Sequence, residues 1–167
     1  MKWYGVSGSW RPISRELIDD VQIAISNIME AGDGIVSGGA LGVDYIATRK
    51  ALQHNPKANR IKIIIPASLE IFSTHFRKQA EQGVIMSEQA ETLIELLTVI
   101  RDKGSLTEMG YTELDTESYY ARNSEVVHAS NELLAFQVNN SSGTQDTIDK
   151  AHSSGKTVTL KQYRIEQ

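Results

Sequence analysis

Short apolar runs alternate along the chain with longer stretches in which apolar residues recur every three or four positions. The short runs predict buried strands, and the spaced pattern predicts amphipathic helices. Strands are expected at residues 2–7, 34–36, 61–65, 133–138 and 156–160. Helices are expected from the capping residue Ser14 to Gly32, and over 43–52, 72–82, 87–103, part of 112–130 and 144–153. This alternation predicts one doubly wound α/β domain over residues 1–167, with a parallel sheet.

The helix predicted over residues 87–103 has an apolar stripe that can be interpreted in two ways. Its members share one helical face: Ala90, Leu93, Ile94, Leu97 and Ile100. Such a stripe normally packs against the core of the same domain, but it also suits a dimer interface. The sequence leaves open whether the wider segment, residues 67–111, forms a lid, a dimer surface or filler.

Composition and charge narrow the class of protein. With 40% hydrophobic and 23% charged residues, the chain has the composition of a globular protein. No apolar run approaches the ~20 residues that span a bilayer, and the first ten residues lack a signal-peptide pattern. Cysteine is absent, so disulfides and thiolate sites are excluded. We therefore expect a cytoplasmic protein without a membrane partner. A net charge of −4 disfavours a surface that binds nucleic acid throughout.

Three turns rich in glycine or serine follow predicted strands, and each precedes a helix. They cover residues 7–11 (SGSWR), 37–42 (SGGALG) and 139–144 (NNSSGT). Ligands of such sheets bind at the carboxyl ends of the strands, and helix N-termini attract phosphate. The glycines are expected to clear room for an anion at the backbone. The alternative is that the turns are merely tight and bind no ligand.

Several side chains near these turns have both a structural and a functional interpretation. Trp10 could stack on a base or cover an apolar edge. Arg122 could bind phosphate or pair with Glu117 or Glu125. The four histidines show no ligand spacing, so no metal is expected.

Four segments together resemble one known superfamily: "VSGS", "IVSGGALGVD", "ARNSEVVHASNELLAF" and "SSGTQDTIDKAHSSGKTV". They are similar to the SLOG-type Rossmann-like superfamily, which unites DNA-processing protein A (Smf) with the Lonely Guy phosphoribohydrolases. The resemblance covers most of the chain, with residues 66–115 the weakest part. It implies a sheet of about five parallel strands in the order 3-2-1-4-5, with helices on both faces. It also implies nucleotide binding at the glycine turns, often by a homodimer.

The resemblance implies a set of ligand-binding positions, to which neighbouring side chains are added. The set is Gly8, Ser9, Trp10, Arg11, Ser37, Gly38, Gly39, Gly42, Asp44, Arg122, Asn123, Ser142, Gly143 and Thr144. Trp10 or Tyr45 is expected near a base. The resemblance to the phosphoribohydrolases implies a glutamate at one position of the last turn. This chain departs from that pattern, because the position is Thr147. Asp146, one residue away, lies about 100° around a helix and cannot simply replace it.

These observations predict a nucleotide-binding protein without a further cofactor, whose ligand carries a phosphate between the second and last turns. An alternative is an enzyme that hydrolyses the N-glycosidic bond of a nucleoside 5′-monophosphate, with Asp44 or Asp146 as its carboxylate. A second alternative is a module that binds single-stranded DNA. That function needs a cationic groove with aromatic side chains, for which the bases here are few and scattered.

Overall fold

The computed structural model describes residues 1–167 and contains six strands and six helices. In chain order they are β1 (Trp3–Gly8), α1 (Arg15–Glu30), β2 (Gly34–Ser37), α2 (Val43–His54), β3 (Ile61–Ile65), α3 (Leu69–Glu81), α4 (Ser87–Asp102), β4 (Leu106–Glu108), α5 (Thr116–His128), β5 (Glu132–Val138), α6 (Ser142–Ser153) and β6 (Thr157–Tyr163). None of the helices is both long enough and apolar enough to span a bilayer.

All six strands run parallel in one sheet, in the order β4-β3-β2-β1-β5-β6. The five predicted strands are confirmed, and their order in space is the one that the resemblance implies. The sixth strand, β4, was not expected. It is a three-residue edge strand that pairs Leu106 with Ile63, too short for its sequence to show an alternating pattern.

Helices cover both faces of the sheet, as predicted. The largest core cluster contains residues of α1 to α4 together with one side of β2, β3 and β5. Two smaller clusters contain residues of α5 and α6 with the opposite side of the strands. The fold is therefore a Rossmann-like α/β sheet with six strands rather than about five.

The segment 67–111, whose role the sequence left open, forms α3, α4 and β4. The stripe on α4 faces the core: Ala90, Leu93, Leu97 and Ile100 are each at most 1% exposed. The interpretation of this stripe as core is thus the correct one.

Capping interactions set where several helices begin. The Ser14 hydroxyl accepts a hydrogen bond from the Leu17 amide at the start of α1. Asp115 and Ser118 exchange bonds at the start of α5, each side chain accepting from the other's backbone amide. The start of α6 differs, because Ser141 at the N-cap position makes no side-chain cap.

Strand β1 lies at the point where the strand order reverses. The chain passes from β1 to β2 on one side, and later returns from β4 to β5 on the other. In open α/β sheets the ligand crevice lies at the carboxyl ends of the strands at such a point.

Candidate functional site

A cleft of about 580 Å³ opens where this topology places a ligand site. Its volume falls in the range of roughly 300–1,000 Å³ that is typical of small-molecule sites. Eleven of the fourteen predicted ligand-binding residues line it: Gly8, Ser9, Trp10, Arg11, Gly38, Asp44, Arg122, Asn123, Ser142, Gly143 and Thr144. The first, second and last turns are therefore brought together around one cavity.

The first turn of α6 presents backbone donors to this cleft. The amides of Ser142, Gly143 and Thr144 have no hydrogen-bond partner, and the first bonded amide of the helix is that of Gln145, which donates to Ser141 O. A side chain added at Gly143 would meet no atom within 4 Å. Unpaired amides at a helix N-terminus carry partial positive charge and attract anions.

A run of hydroxyl groups connects this helix start to the end of β1. Ser9 Oγ and Ser141 Oγ lie 2.9 Å apart, and Ser141 Oγ lies 3.0 Å from Thr144 Oγ1. Ser9 Oγ also accepts a bond from the Val138 amide at 3.1 Å. Three hydroxyl protons serve only two hydroxyl–hydroxyl bonds. One proton is therefore left without an acceptor, on Thr144, Ser9 or Ser141 depending on the direction of each bond, and all three residues line the cleft.

The glycines of the second turn were expected to clear room for an anion. In the structure they instead make room for other parts of the chain. A side chain at Gly38 would overlap the guanidinium of Arg122, with atoms 2.6 Å apart. At Gly39 it would enter the core against Ile65. At Gly42 it would lie 2.4 Å from the Trp10 Cα. The space beside each glycine is filled by the protein's own atoms.

Three of the predicted ligand-binding residues lie outside the lining of the cleft. Ser37 is completely buried, and its hydroxyl has no hydrogen-bond partner. Gly39 and Gly42 have φ angles of 70° and 76°, a region that only glycine adopts readily. These residues shape the second turn, while Gly38 and Asp44, which are also buried, line the cleft.

Asp44 and Arg122 are two ionisable residues that are buried and line the cleft. They are 6% and 7% exposed, although no nitrogen–oxygen distance between them is short enough for a salt bridge. Burial raises the pKa of the Asp44 carboxyl, opposed by the charge of Arg122 and by the Ala40 amide, which donates to Asp44 Oδ2 at 3.3 Å. Asp44 therefore occupies the Ala40 amide of the second turn, for which an anion would have to compete.

Arg122 keeps donors free for a ligand. Its Nη1 donates to Gly38 O and its Nε to Asn123 Oδ1 at 3.2 Å, while its Nη2 has no partner in the protein. It forms no ion pair with Glu117 or Glu125, the structural alternative that the sequence offered. A buried guanidinium with unused donors is suited to an anionic ligand.

Two other predicted side chains turn away from the cleft. The Asp146 carboxylate accepts bonds from Lys150 Nζ at 2.6 Å and from Asn123 Nδ2 at 3.2 Å, and it does not line the cavity. The Tyr45 hydroxyl accepts from Arg49 and also lies outside. Thr147 does line the cleft, but its hydroxyl donates to Gly143 O at 3.2 Å. The position that carries glutamate in the phosphoribohydrolases is thus neutral here.

Trp10 and Arg11 form the rim of the cleft. The Arg11 guanidinium stacks on the Trp10 ring at 4.0 Å from its centroid, and the indole is 38% exposed. Arg11 Nη1 also lies 3.4 Å from Val84 O, in the connection between α3 and α4. An exposed aromatic ring next to a cation is the arrangement that stacks on a nucleobase.

Sequence reasoning missed the contribution of α3 to the site. His75 and Gln79, one helical turn apart, line the cleft together with Tyr119 and Tyr120 of α5. The sequence did contain a signal, which is a pair of uncharged polar residues at positions i and i+4 soon after β3. The site lies at the carboxyl ends of the strands, so residues that soon follow a strand are candidates for its lining.

Comparisons with known proteins agree with this architecture. The family model of DNA recombination-mediator protein A matches residues 2–167. DNA processing protein A from Helicobacter pylori, solved in work on its single-stranded DNA binding mode, superimposes with a TM-score of 0.72 at 22% identity. The same protein from Streptococcus pneumoniae gives a TM-score of 0.64 at 21% identity. The structural-genomics target TM1055 gives 0.57 at 16% identity over 95% of this chain and 72% of its own.

At these identities the solved structures establish the fold alone. The chain is covered to 95% in both DNA processing protein A comparisons, but it spans only 64% of the Helicobacter pylori chain and 50% of the Streptococcus pneumoniae chain. No curated protein matches the sequence significantly. The family assignment depends instead on the family model, which matches nearly the whole sequence. The chain belongs to the DNA recombination-mediator protein A family.

Proposed function

We propose that the cleft binds the phosphate of a nucleoside monophosphate, or of a similar phosphorylated ligand, at the start of α6. The observation that carries this proposal is the set of three unpaired amides of Ser142, Gly143 and Thr144, which open onto the cavity beside a glycine without neighbours. A phosphate oxygen can accept from several of these amides at once.

Side-chain donors around the same helix start support the proposal independently. Arg122 brings a buried positive charge with an unused Nη2, and the hydroxyl run of Ser9, Ser141 and Thr144 leaves one proton unused. Thr144 and Ser9 are only 3% and 4% exposed, so these donors have little access to bulk water. Donors held in place before binding cost little to reorganise when the anion arrives.

Binding of the phosphate is tested by isothermal titration calorimetry with nucleoside monophosphates and two matched glycine variants. Gly143→Val places a branched side chain in the open space at the helix start and should weaken binding at least about tenfold. Gly110→Val is the control, because Gly110 also has no neighbour within 4 Å but lies outside the cleft. The control should bind as the wild type does.

Thermal unfolding provides the second readout of the same experiment. A ligand at 100 times its Kd should stabilise the wild type by about 2.7 kcal/mol and raise its melting temperature. The shift should shrink in Gly143→Val and persist in Gly110→Val. A wild type that is unaffected by every mononucleotide at millimolar concentration would contradict the proposal.

Family membership favours single-stranded DNA as a second candidate ligand. The Helicobacter pylori relative is described by its single-stranded DNA binding mode, and the cleft has Trp10, Arg11 and two tyrosines at its edge. The charged residues of the cleft are balanced, however, because Asp44 and Asp115 oppose Arg11 and Arg122. Fluorescence anisotropy with a labelled oligonucleotide tests this candidate. Binding should weaken steeply as salt is raised, and no binding at micromolar protein and low salt would exclude it.

A further inference from the structure

Two side chains of α3 face the cleft without any hydrogen-bond partner in the protein. His75 and Gln79 are partly exposed, and neither side chain donates to or accepts from another group. The helix does not need them for its own stability. It is anchored by Phe72 and Phe76 in the core and capped by Ser68, whose hydroxyl accepts from the Ile71 amide.

The pair offers hydrogen bonds rather than charge. Burial, with the nearby charge of Lys78, lowers the pKa of His75, so its imidazole is neutral at pH 7 and has one donor and one acceptor. The Gln79 amide likewise has both a donor and an acceptor. Neutral groups of this kind recognise the edges of nucleobases, and a glutamine amide can bond two neighbouring base atoms at once.

The position of α3 suits the end of a nucleotide that is remote from its phosphate. α3 packs over the sheet face of α1 and α2, whereas α6 packs over the opposite face, and both reach the same cleft. The rim connects the two parts of the site. Arg11, stacked on Trp10, contacts Val84 O, and the Val84 amide donates to Gln79 O at 2.9 Å.

From this arrangement we infer that His75 and Gln79 of α3 read the edge of the ligand's nucleobase and determine which base the site accepts. The inference rests on the proposed function, since a phosphate at the start of α6 orients the nucleotide. Trp10 supplies the stacking surface, and the two α3 side chains supply the selective contacts. The segment that resembles the superfamily least is thus the one that sets specificity.

The experiment measures dissociation constants for ribose 5-phosphate and for the four nucleoside 5′-monophosphates by titration calorimetry. The proteins are the wild type, Gln79→Ala, His75→Ala and the control Glu81→Ala, whose residue is exposed on the same helix and does not line the cleft. The wild type should prefer one base by about tenfold or more, as expected from a pair of base contacts. Gln79→Ala and His75→Ala should remove most of that preference and change the affinity for ribose 5-phosphate less than about twofold.

Each other outcome overturns a defined part of the account. If the wild type binds ribose 5-phosphate and all four nucleotides equally, or if the base preference survives both α3 variants, the inference is wrong while phosphate binding stands. Equal weakening of ribose 5-phosphate and nucleotides by the α3 variants also contradicts base reading. If no phosphorylated probe binds the wild type, the proposed function fails, and the inference fails with it.

Discussion

The second and last turns of this protein have similar sequences, SGGALG and SSGT, but opposite structural roles. In the second turn, each glycine is required because another part of the chain occupies the place of its side chain. The Asp44 carboxylate accepts from the Ala40 amide within the same turn. In the last turn, Gly143 has no neighbours and three amides stay unpaired. Glycine content alone therefore does not distinguish the two turns; the open space beside Gly143 does.

The comparison also separates stability from binding. The second turn is a packing junction, where Arg122 lies on Gly38 and the Trp10 backbone lies on Gly42. Changes there should reduce the free energy of unfolding. The last turn is open on one side, so changes there should reduce ligand affinity and leave the fold intact.

The largest effect is expected from Gly42→Ala. The φ and ψ angles of 76° and −128° disfavour alanine by roughly 1–3 kcal/mol, and overlap with the Trp10 backbone adds about 1–3 kcal/mol. Urea unfolding should therefore show a loss of about 2–6 kcal/mol. Gly143→Ala should range from unchanged to about 1 kcal/mol more stable, since its site is helical and open. Equal stability losses in the two variants would remove the distinction between the turns.

The next effect is a pH dependence that comes from Asp44. Because burial raises its pKa above the ordinary value of 3.8, the folded protein binds this proton more tightly than the unfolded chain. The contribution of Asp44 to the free energy of unfolding is fully present below pH 3.8 and is lost as pH rises through the folded pKa. Urea unfolding at several pH values between 7 and 4 measures this contribution. As the pH falls, the free energy of unfolding of the wild type should rise relative to that of Asp44→Asn.

If the free energy of unfolding of the wild type instead falls relative to that of Asp44→Asn as the pH is lowered, the charge of Arg122 outweighs the burial of Asp44. The carboxylate would then be held ionised, and its pKa would lie below the ordinary value. The second turn would in that case be stabilised by an ion pair rather than only by packing and amide capping.

Much of the fold was predictable, because it depends on local patterns. The strand Ile61–Ile65 was predicted to the residue, and the stripe on α4 identified a core helix. The short strand β4 was not predictable, since it exists through pairing with β3 and not through its own sequence. Ser142 and Gly143 were expected before α6 but belong to its first turn.

The site was predictable only in part. Gly143, Thr144, Arg122 and Asn123 were identified through the resemblance to the superfamily, and all four line the cleft. The packing role of Gly38 depends on Arg122, which is 84 residues away in the sequence, so no local pattern could reveal it. Ligand binding by the predicted residues, and the homodimer that the resemblance implies, stay predictions.

A smaller effect on stability, with a clear effect on affinity, is expected from Thr144→Val. The change removes the end of the hydroxyl run while keeping the shape of the side chain, so stability should fall by about 1 kcal/mol. Calorimetry should show nucleoside monophosphate affinity reduced about tenfold, as for one lost bond to a charged ligand. Thr48→Val is the matched control, because Thr48 is buried on α2 and donates to Asp44 O outside the cleft. Unchanged affinity in Thr144→Val would place the phosphate elsewhere.

The smallest effect is expected from Ser37→Ala in the second turn. The buried hydroxyl has no hydrogen-bond partner, so its removal should change the free energy of unfolding by less than about 1 kcal/mol and leave nucleotide affinity unaltered. Chemical denaturation and calorimetry measure the two quantities. A loss above about 2 kcal/mol would indicate that the Ser37 hydroxyl does make a hydrogen bond in the folded protein.

The central claim is that negative charge is bound at the start of α6 and not at the second turn. Amide chemical shifts of ¹⁵N-labelled protein, followed during titration with a nucleoside monophosphate, test it most directly. The account predicts saturable shifts for Ser142, Gly143 and Thr144, with Gly39 and Ala40 nearly unaffected. Saturable shifts at Gly39 and Ala40 without any at Gly143 and Thr144 would contradict it.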